Sequence, residues 1–259
     1  MKIKTISKIY KNCKVKNPSK KRYLSDNYVL WNIMIKYITF LPAFYLNKLK
    51  VSPDFISLLS FIFIPLGSFF IIINEAMIGA FCWVIFGALD SLDGDMVRLS
   101  KRKTFYGETL DSLGADIFYF LSPVTVGYYL FNFNNDFIIF NKNYILIISF
   151  LITFFLISIR YLGSKRYILS LINPTQNRKF YSKNNINNLT KLKSNISFIE
   201  NEVLRGNLFA EPGMLLNYFI LFALNQNKIL ELYLILIFIY YFILFSKSTI
   251  ATAIYFKNI

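Results

Sequence analysis

Long apolar runs separated by short polar pieces dominate the chain. The turn Val51-Ser52-Pro53-Asp54 precedes an apolar run from Phe55 to Ile73, long enough for a helix to cross a bilayer. Asn74 and Glu75 predict a short turn, and a second, shorter run covers Ala76 to about Leu89. Residues 91–106 are polar and basic and predict a loop. Further spans are expected at about Glu108–Phe131, Tyr144–Leu162, Leu208–Leu224 and Ile229–Ile254. Between them lie an Asn-rich piece, 132–142, and a long stretch, 163–207, rich in Asn, Lys and Ser. Residues 28–49 mix apolar residues with Lys36 and Lys48 and contain Pro42, which predicts a bent amphipathic helix at the membrane surface rather than a span. The expected fold is therefore all-α: an integral membrane protein of six transmembrane helices preceded by an N-terminal amphipathic surface helix. In domain terms, a basic cytoplasmic tail (1–27) precedes a six-helix transmembrane unit (28–259) with a cytoplasmic loop at 163–207.

Composition supports this. Of 259 residues, 55% are hydrophobic and 19% aromatic, more apolar surface than a soluble domain of this length needs. Charged residues make up 17%, yet the net charge is +15. The surplus lies mostly outside the apolar runs: nine Lys or Arg against one acid in Met1–Asp26, then Arg98, Lys101, Arg102 and Lys103, then nine Lys or Arg against two Glu in 160–207. The turns near residues 75, 136 and 226 lack it. Six spans with both termini cytoplasmic place every basic segment on the cytoplasmic side. The charge thus reads as topology and attraction to an anionic bilayer, not as nucleic-acid binding. No compact apolar core with a small-residue cleavage site follows the N-terminal segment, so no signal peptide is expected. Cys13 and Cys82 make no disulfide framework. Histidine is absent, so acid–base or metal chemistry falls to carboxylates, Lys, Tyr or water.

The acids change the picture most. Six of the fourteen, Asp90, Asp93, Asp95, Glu108, Asp111 and Asp116, fall within 27 positions. Ionised carboxylates at membrane depth cost roughly 2.5–3.5 kcal/mol each, so they require partners and a role. Asp90 and Asp93, three apart at a helix end, share a face. Gly94 lets the backbone turn or a ligand come close. Asp111 opens the next span at the same membrane level. Carboxylates converging from two helix ends repel unless a cation lies between them, and Mg²⁺ or Mn²⁺ takes oxygen ligands, often with phosphates completing the shell. Arg98 suits a phosphate through its fork of donors. Two other readings remain open: pairing of the acids with the Lys and Arg of their own loop, or a cation path in a transporter, whose acids usually sit nearer the midplane.

The order Asp90-x-x-Asp93-Gly94-x-x-Val97-Arg98, eight residues, Gly107-x-x-x-Asp111 resembles the CDP-alcohol phosphotransferase (CDP-alcohol phosphatidyltransferase) family. The family pattern is D-x-x-D-G-x-x-A-R, about eight residues, then G-x-x-x-D-x-x-x-D. Val51-Ser52-Pro53-Asp54-x-Ile56-Ser57 is similar to the Pro-Asn-x-x-Thr helix start of the family. The resemblance implies that Asp90, Asp93 and Asp111 ligate Mg²⁺ or Mn²⁺. It implies that Gly94 and Gly107 let the CDP part approach the backbone and that Arg98 holds phosphate. The implied reaction moves a substituted phosphate from a CDP-alcohol, CDP-diacylglycerol above all, to an alcohol or polyol-phosphate acceptor with release of CMP, at the cytoplasmic face. A homodimer through the spans also agrees with the family, although no sequence feature requires one.

The chain departs from the pattern at three places. Val97 replaces Ala, Asp54 replaces Asn, and the fourth aspartate, assigned in the family as the base that takes the acceptor proton, is replaced by Ala115 with Asp116 one residue later. On a regular helix that shift turns the carboxylate about 100° off the site. A π-bulge between Asp111 and Asp116 would restore it. Otherwise Glu108 or a metal-bound water takes the proton, or the chain binds CDP-alcohols without good turnover. Arg160, Lys165 and Arg166 read either as ordinary cytoplasmic-side cations or as holders of an acceptor phosphate.

Overall fold

The structure, a computed structural model, describes residue 35 and residues 37–100, 104–134, 141–172, 208–209 and 211–257. These residues form seven α-helices and no strand: α1 (Tyr37–Lys48), α2 (Pro53–Ile72), α3 (Ala76–Ser100), α4 (Phe105–Phe133), α5 (Lys142–Ile172), α6 (Glu211–Ala223) and α7 (Asn227–Lys257). By length and apolarity, α2, α3, α5 and α7 each suffice to cross a membrane. α4 has the length, at 29 residues, but Glu108, Asp111 and Asp116 dilute its apolar character. α6 has 13 residues, too few to cross alone. The basic tail and residues 173–207 of the long polar stretch lie outside the described residues.

Pro53 stands in the first turn of α2, where its missing N–H costs nothing, and Asp54 beside it complements the helix dipole. Asn74, at φ 71°, makes the tight turn into α3. The α2–α3 hairpin closes at two glycines. A Cβ on Gly67 would lie 2.7 Å from the Gly79 carbonyl oxygen, and a Cβ on Gly79 would strike the Gly67 carbonyl. Trp83 fills the space beside this crossing and donates its indole N–H to the Ile64 carbonyl at 3.1 Å. Its ring meets Phe118 of α4 and Tyr218 of α6, so one aromatic cluster joins α3, α4 and α6. α5 packs on α4 and α7. The outer faces are apolar as well, with Phe55, Phe69, Phe81, Phe120, Phe150 and Phe242 exposed, as lipid-facing positions require.

Two elements differ from the sequence-based expectation. α3 does not stop near Leu89 but continues to Ser100, so 91–100 is helix rather than loop, and Thr104 then caps the start of α4. The reason is an apolar stripe, Leu89, Leu92, Met96 and Leu99, which packs on Ala43, Leu46 and Ile56 of α1 and α2. Gly94 therefore lies inside a helix and turns nothing. Of residues 28–49, expected to form a bent surface helix, 37–48 form α1, which runs unbroken through Pro42 and packs on α3; residues 28–34 and Lys36 lie outside the described residues. α6 is described from Glu211, with Pro212 in its first turn, and residues 208–209 before it are helical as well.

Candidate active site

α3 carries Asp90, Asp93, Gly94, Asp95 and Arg98 on consecutive turns, and the first turns of α4 carry Gly107, Glu108 and Asp111, of which Asp111 comes near enough to Asp93 for their charges to interact. Asp93 is 6% exposed. Its Oδ2 accepts a 2.5 Å hydrogen bond from the Ser57 hydroxyl of α2, which fixes the carboxylate from the far side. Asp111 of α4 repels the Asp93 carboxylate electrostatically and Arg98 attracts it, so these three charges form one local field. Asp90 is half-buried one turn earlier, and Asp111 and Glu108 are exposed.

Arg98 is held from two sides. One terminal nitrogen donates to Asp95 Oδ1 at 2.7 Å, and Asp95 is fully buried. The guanidinium then lies against Gly94, where a Cβ would come within 3.0 and 3.2 Å of its two terminal nitrogens. The role of Gly94 in this structure is thus to leave room for an arginine rather than to bend the chain. Arg98 Nε is buried and has no hydrogen-bond partner, a donor of the kind a phosphate oxygen satisfies.

The start of α4 is tied to the start of α2. Thr104 caps α4, accepting from Gly107 N–H at 2.9 Å, and its hydroxyl lies 3.0 and 3.2 Å from the Asp54 carboxylate oxygens. A Cβ on Gly107 would lie 2.6 Å from Asp54 Oδ1, so any larger residue would displace the Asp54 carboxylate or the helix start. Thr39, whose hydroxyl donates to Asp95 Oδ2 at 3.0 Å, and Thr104 join the site without any signal in the sequence. Asp54 and Ser57 lie in the family-like helix start, which marked the segment but not what these two side chains touch.

Asp116 lies elsewhere. α4 is regular α-helix from Phe105 to Phe133, without the π-bulge that would have turned Asp116 toward the site. Five residues of regular helix set it about 140° from Asp111. It ion-pairs with Arg160 of α5, whose guanidinium also donates to the Ser112 carbonyl at 3.3 Å and lies 5.6 Å from the Tyr119 ring centre. This pair lines a cleft of about 660 Å³ between α4 and α5 with Ile117, Phe120 and Ile157.

A divalent metal needs several oxygens turned to one point. Among the described residues no three acidic side chains converge closely enough to hold one ion: Asp93 turns to Ser57, Asp95 to Arg98 and Asp116 to Arg160. The donor set itself suits a hard cation, being all carboxylate, and the Asp93 and Asp111 charges interact between α3 and α4.

Residues 50–176, just under half of the chain, match the family model described as CDP-alcohol phosphatidyltransferase. A curated protein of Aquifex aeolicus (strain VF5), described as an uncharacterized protein, is 42% identical over 69 residues. The match spans 26% of this chain and 35% of that protein. No solved structure matches.

Proposed function

We propose that this chain, whose residues 50–176 form a domain of the CDP-alcohol phosphatidyltransferase family, is a membrane-embedded phosphotransferase of phospholipid biosynthesis. It moves the phosphatidyl group of CDP-diacylglycerol to an alcohol or polyol-phosphate acceptor and releases CMP. The observation that carries this reading is the grouping of Asp93, Asp111 and Arg98 across α3 and α4, inside the matched segment, with the buried Arg98 Nε unpartnered.

On this reading Asp90, Asp93 and Asp111, which do not converge on one point in the structure, would turn together to hold Mg²⁺ or Mn²⁺ with phosphate oxygens of the donor. When bound, the metal neutralises the diphosphate and the departing CMP. Arg98 takes a phosphate oxygen of the donor, and Gly94 keeps the guanidinium flat against α3 as it does so. Gly107 leaves the backbone at the start of α4 open to the CDP part. The acceptor oxygen forms the new P–O bond as the bond to CMP breaks, with no covalent enzyme intermediate. Of the two carboxylates that could take the acceptor proton, Glu108 is assigned, one turn before Asp111; Asp116 is engaged by Arg160 on the side of α4 that faces α5. We assign six spans: α2, α3, α4, α5, α7 and the apolar stretch Leu208–Leu224, of which α6 alone is too short to cross. Both termini and the site face the cytoplasm, because the basic segments then share one side.

The experiment is CMP release by the purified full-length protein in lipid nanodiscs. CDP-diacylglycerol is supplied with polyol, amino-alcohol and sugar-phosphate acceptors, with and without Mg²⁺ or Mn²⁺. Metal-dependent release that disappears in Asp93→Asn is the expected result. Metal-dependent CMP binding with no release from any acceptor would overturn the transfer reaction. It would leave a CDP-alcohol-binding protein, the second reading, which Ala115 at the fourth acidic position favours.

A further inference from the structure

We infer that Thr39 and Asp95 are positioning residues for Arg98, so that α1, which ends before the segment matched to the family begins, is a working part of the donor-phosphate site. The inference rests on the reading of Arg98 as the group that takes the donor phosphate.

Asp95 is the most buried acid of the cluster, yet its place in the motif gives it no metal role. Two residues beyond Asp93, it points about 200° around α3 from that carboxylate. Its oxygens bridge two helices. Oδ1 takes the Arg98 terminal nitrogen at 2.7 Å, and Oδ2 accepts from the Thr39 hydroxyl of α1 at 3.0 Å. Thr39 is itself buried. A carboxylate on a helix surface can rotate, and an acid–arginine pair three residues apart holds only weakly there. Burial and the Thr39 hydrogen bond remove that freedom: with Oδ2 turned to α1, Oδ1 must face Arg98.

The guanidinium is planar, so anchoring one terminal nitrogen at Asp95 while the plane rests over Gly94 sets the direction of the remaining donors. Nε, buried and unpartnered, is one of these. α1 is positioned for this by two further contacts that do not involve the arginine. Asn47 donates to the Met96 carbonyl at 2.9 Å, and Ala43 packs with Ile56, Leu92 and Met96. α1 therefore has anchors that survive loss of the Thr39 hydroxyl, which separates positioning from folding.

The test is equilibrium binding of CDP-diacylglycerol to the full-length protein in nanodiscs at fixed Mg²⁺. The wild type is compared with Thr39→Val, Thr39→Ser, Asp95→Asn, Arg98→Ala and the double variant Thr39→Val with Arg98→Ala. Thr39→Val, which keeps the shape and loses the hydroxyl, should weaken binding by about three- to tenfold, the scale of one ordinary hydrogen bond, because Thr39 acts on Arg98 only through Asp95. Thr39→Ser should restore it, and Thr39→Val should add nothing once Arg98 is Ala. Wild-type binding by Thr39→Val and Asp95→Asn, alongside a loss in Arg98→Ala, would overturn the inference and leave the role of Arg98 standing. Wild-type binding by Arg98→Ala would overturn the reading of Arg98 and this inference with it. An equal loss by Thr39→Val in the presence and absence of Arg98 would show that α1 acts on folding alone and would also refute it.

Discussion

Gly107→Ala separates catalysis from stability more sharply than any other single change in this site. The added Cβ would lie 2.6 Å from Asp54 Oδ1 and 2.9 Å from Thr104 Oγ1. Ordinary contact requires the carboxylate or the helix start to yield by roughly 1 Å. The stability terms oppose one another. Disturbing the Thr104 cap costs about 1 kcal/mol, and replacing glycine by alanine inside a helix contributes about 0.5–1 kcal/mol in the other direction. The melting temperature should therefore stay close to that of the wild type. Asp111 sits one turn beyond Gly107 on the same helix, so a shift of the α4 start moves it relative to Asp93. Misplacement by about 1 Å costs on the order of a hundredfold in rate. The expected result is CMP release reduced about ten- to a hundredfold in a protein that melts normally. Removing the obstacle tests the cause: in an Asp54→Ala background, Gly107→Ala should produce a much smaller further loss. Wild-type turnover by Gly107→Ala, or losses that multiply independently in the double variant, would refute the argument.

Four other changes bear on separate parts of the structure. Ser57→Ala removes the hydroxyl that fixes Asp93, so the Mn²⁺ concentration needed for half-maximal CMP release should rise by about ten- to a hundredfold, the usual effect of losing a ligand's supporting hydrogen bond. Glu108→Gln should slow CMP release by about 10²- to 10⁴-fold, whereas Asp116→Asn should leave it within a few-fold of wild type; the opposite ranking would return the proton to Asp116. Gly79→Ala drives a Cβ into the Gly67 carbonyl at the α2–α3 crossing, and a lower melting temperature, reflecting about 1–3 kcal/mol of overpacking, is expected in the purified protein.

The long apolar helices were legible because a bilayer demands about twenty apolar residues in a row, and α2, α5 and α7 meet that demand almost without interruption. The C-terminal half of α3 was harder to read. Asp93, Asp95, Arg98 and the Lys and Arg that follow resemble a polar loop, and the charges hide the stripe at Leu89, Leu92, Met96 and Leu99. That stripe has helical spacing and was the available signal. The acids of α4 dilute its apolar character in the same way, although its length and the Thr104 cap are those of an ordinary helix.

Residues separated by a few positions on one helix have relations that follow from 100° per residue, which is why spacing alone gives the displacement of Asp116 and why the unbroken α4 leaves it off the Asp111 face. Contacts between helices carry no such rule. Thr39 reaches Asp95 across 56 positions and Thr104 reaches Asp54 across 50, and both depend on how α1, α2, α3 and α4 pack. The motif glycines show the same division. Spacing marks Gly94 and Gly107 as places where a side chain is unwelcome, but what excludes it is set by packing. At Gly94 it is the Arg98 guanidinium and at Gly107 the Asp54 carboxylate, the first held by buried Asp95 and the second by Thr104 at the start of α4. A site of this kind is read from sequence as a set of chemical groups, and its geometry comes from the residues between the motifs that decide how the helices meet.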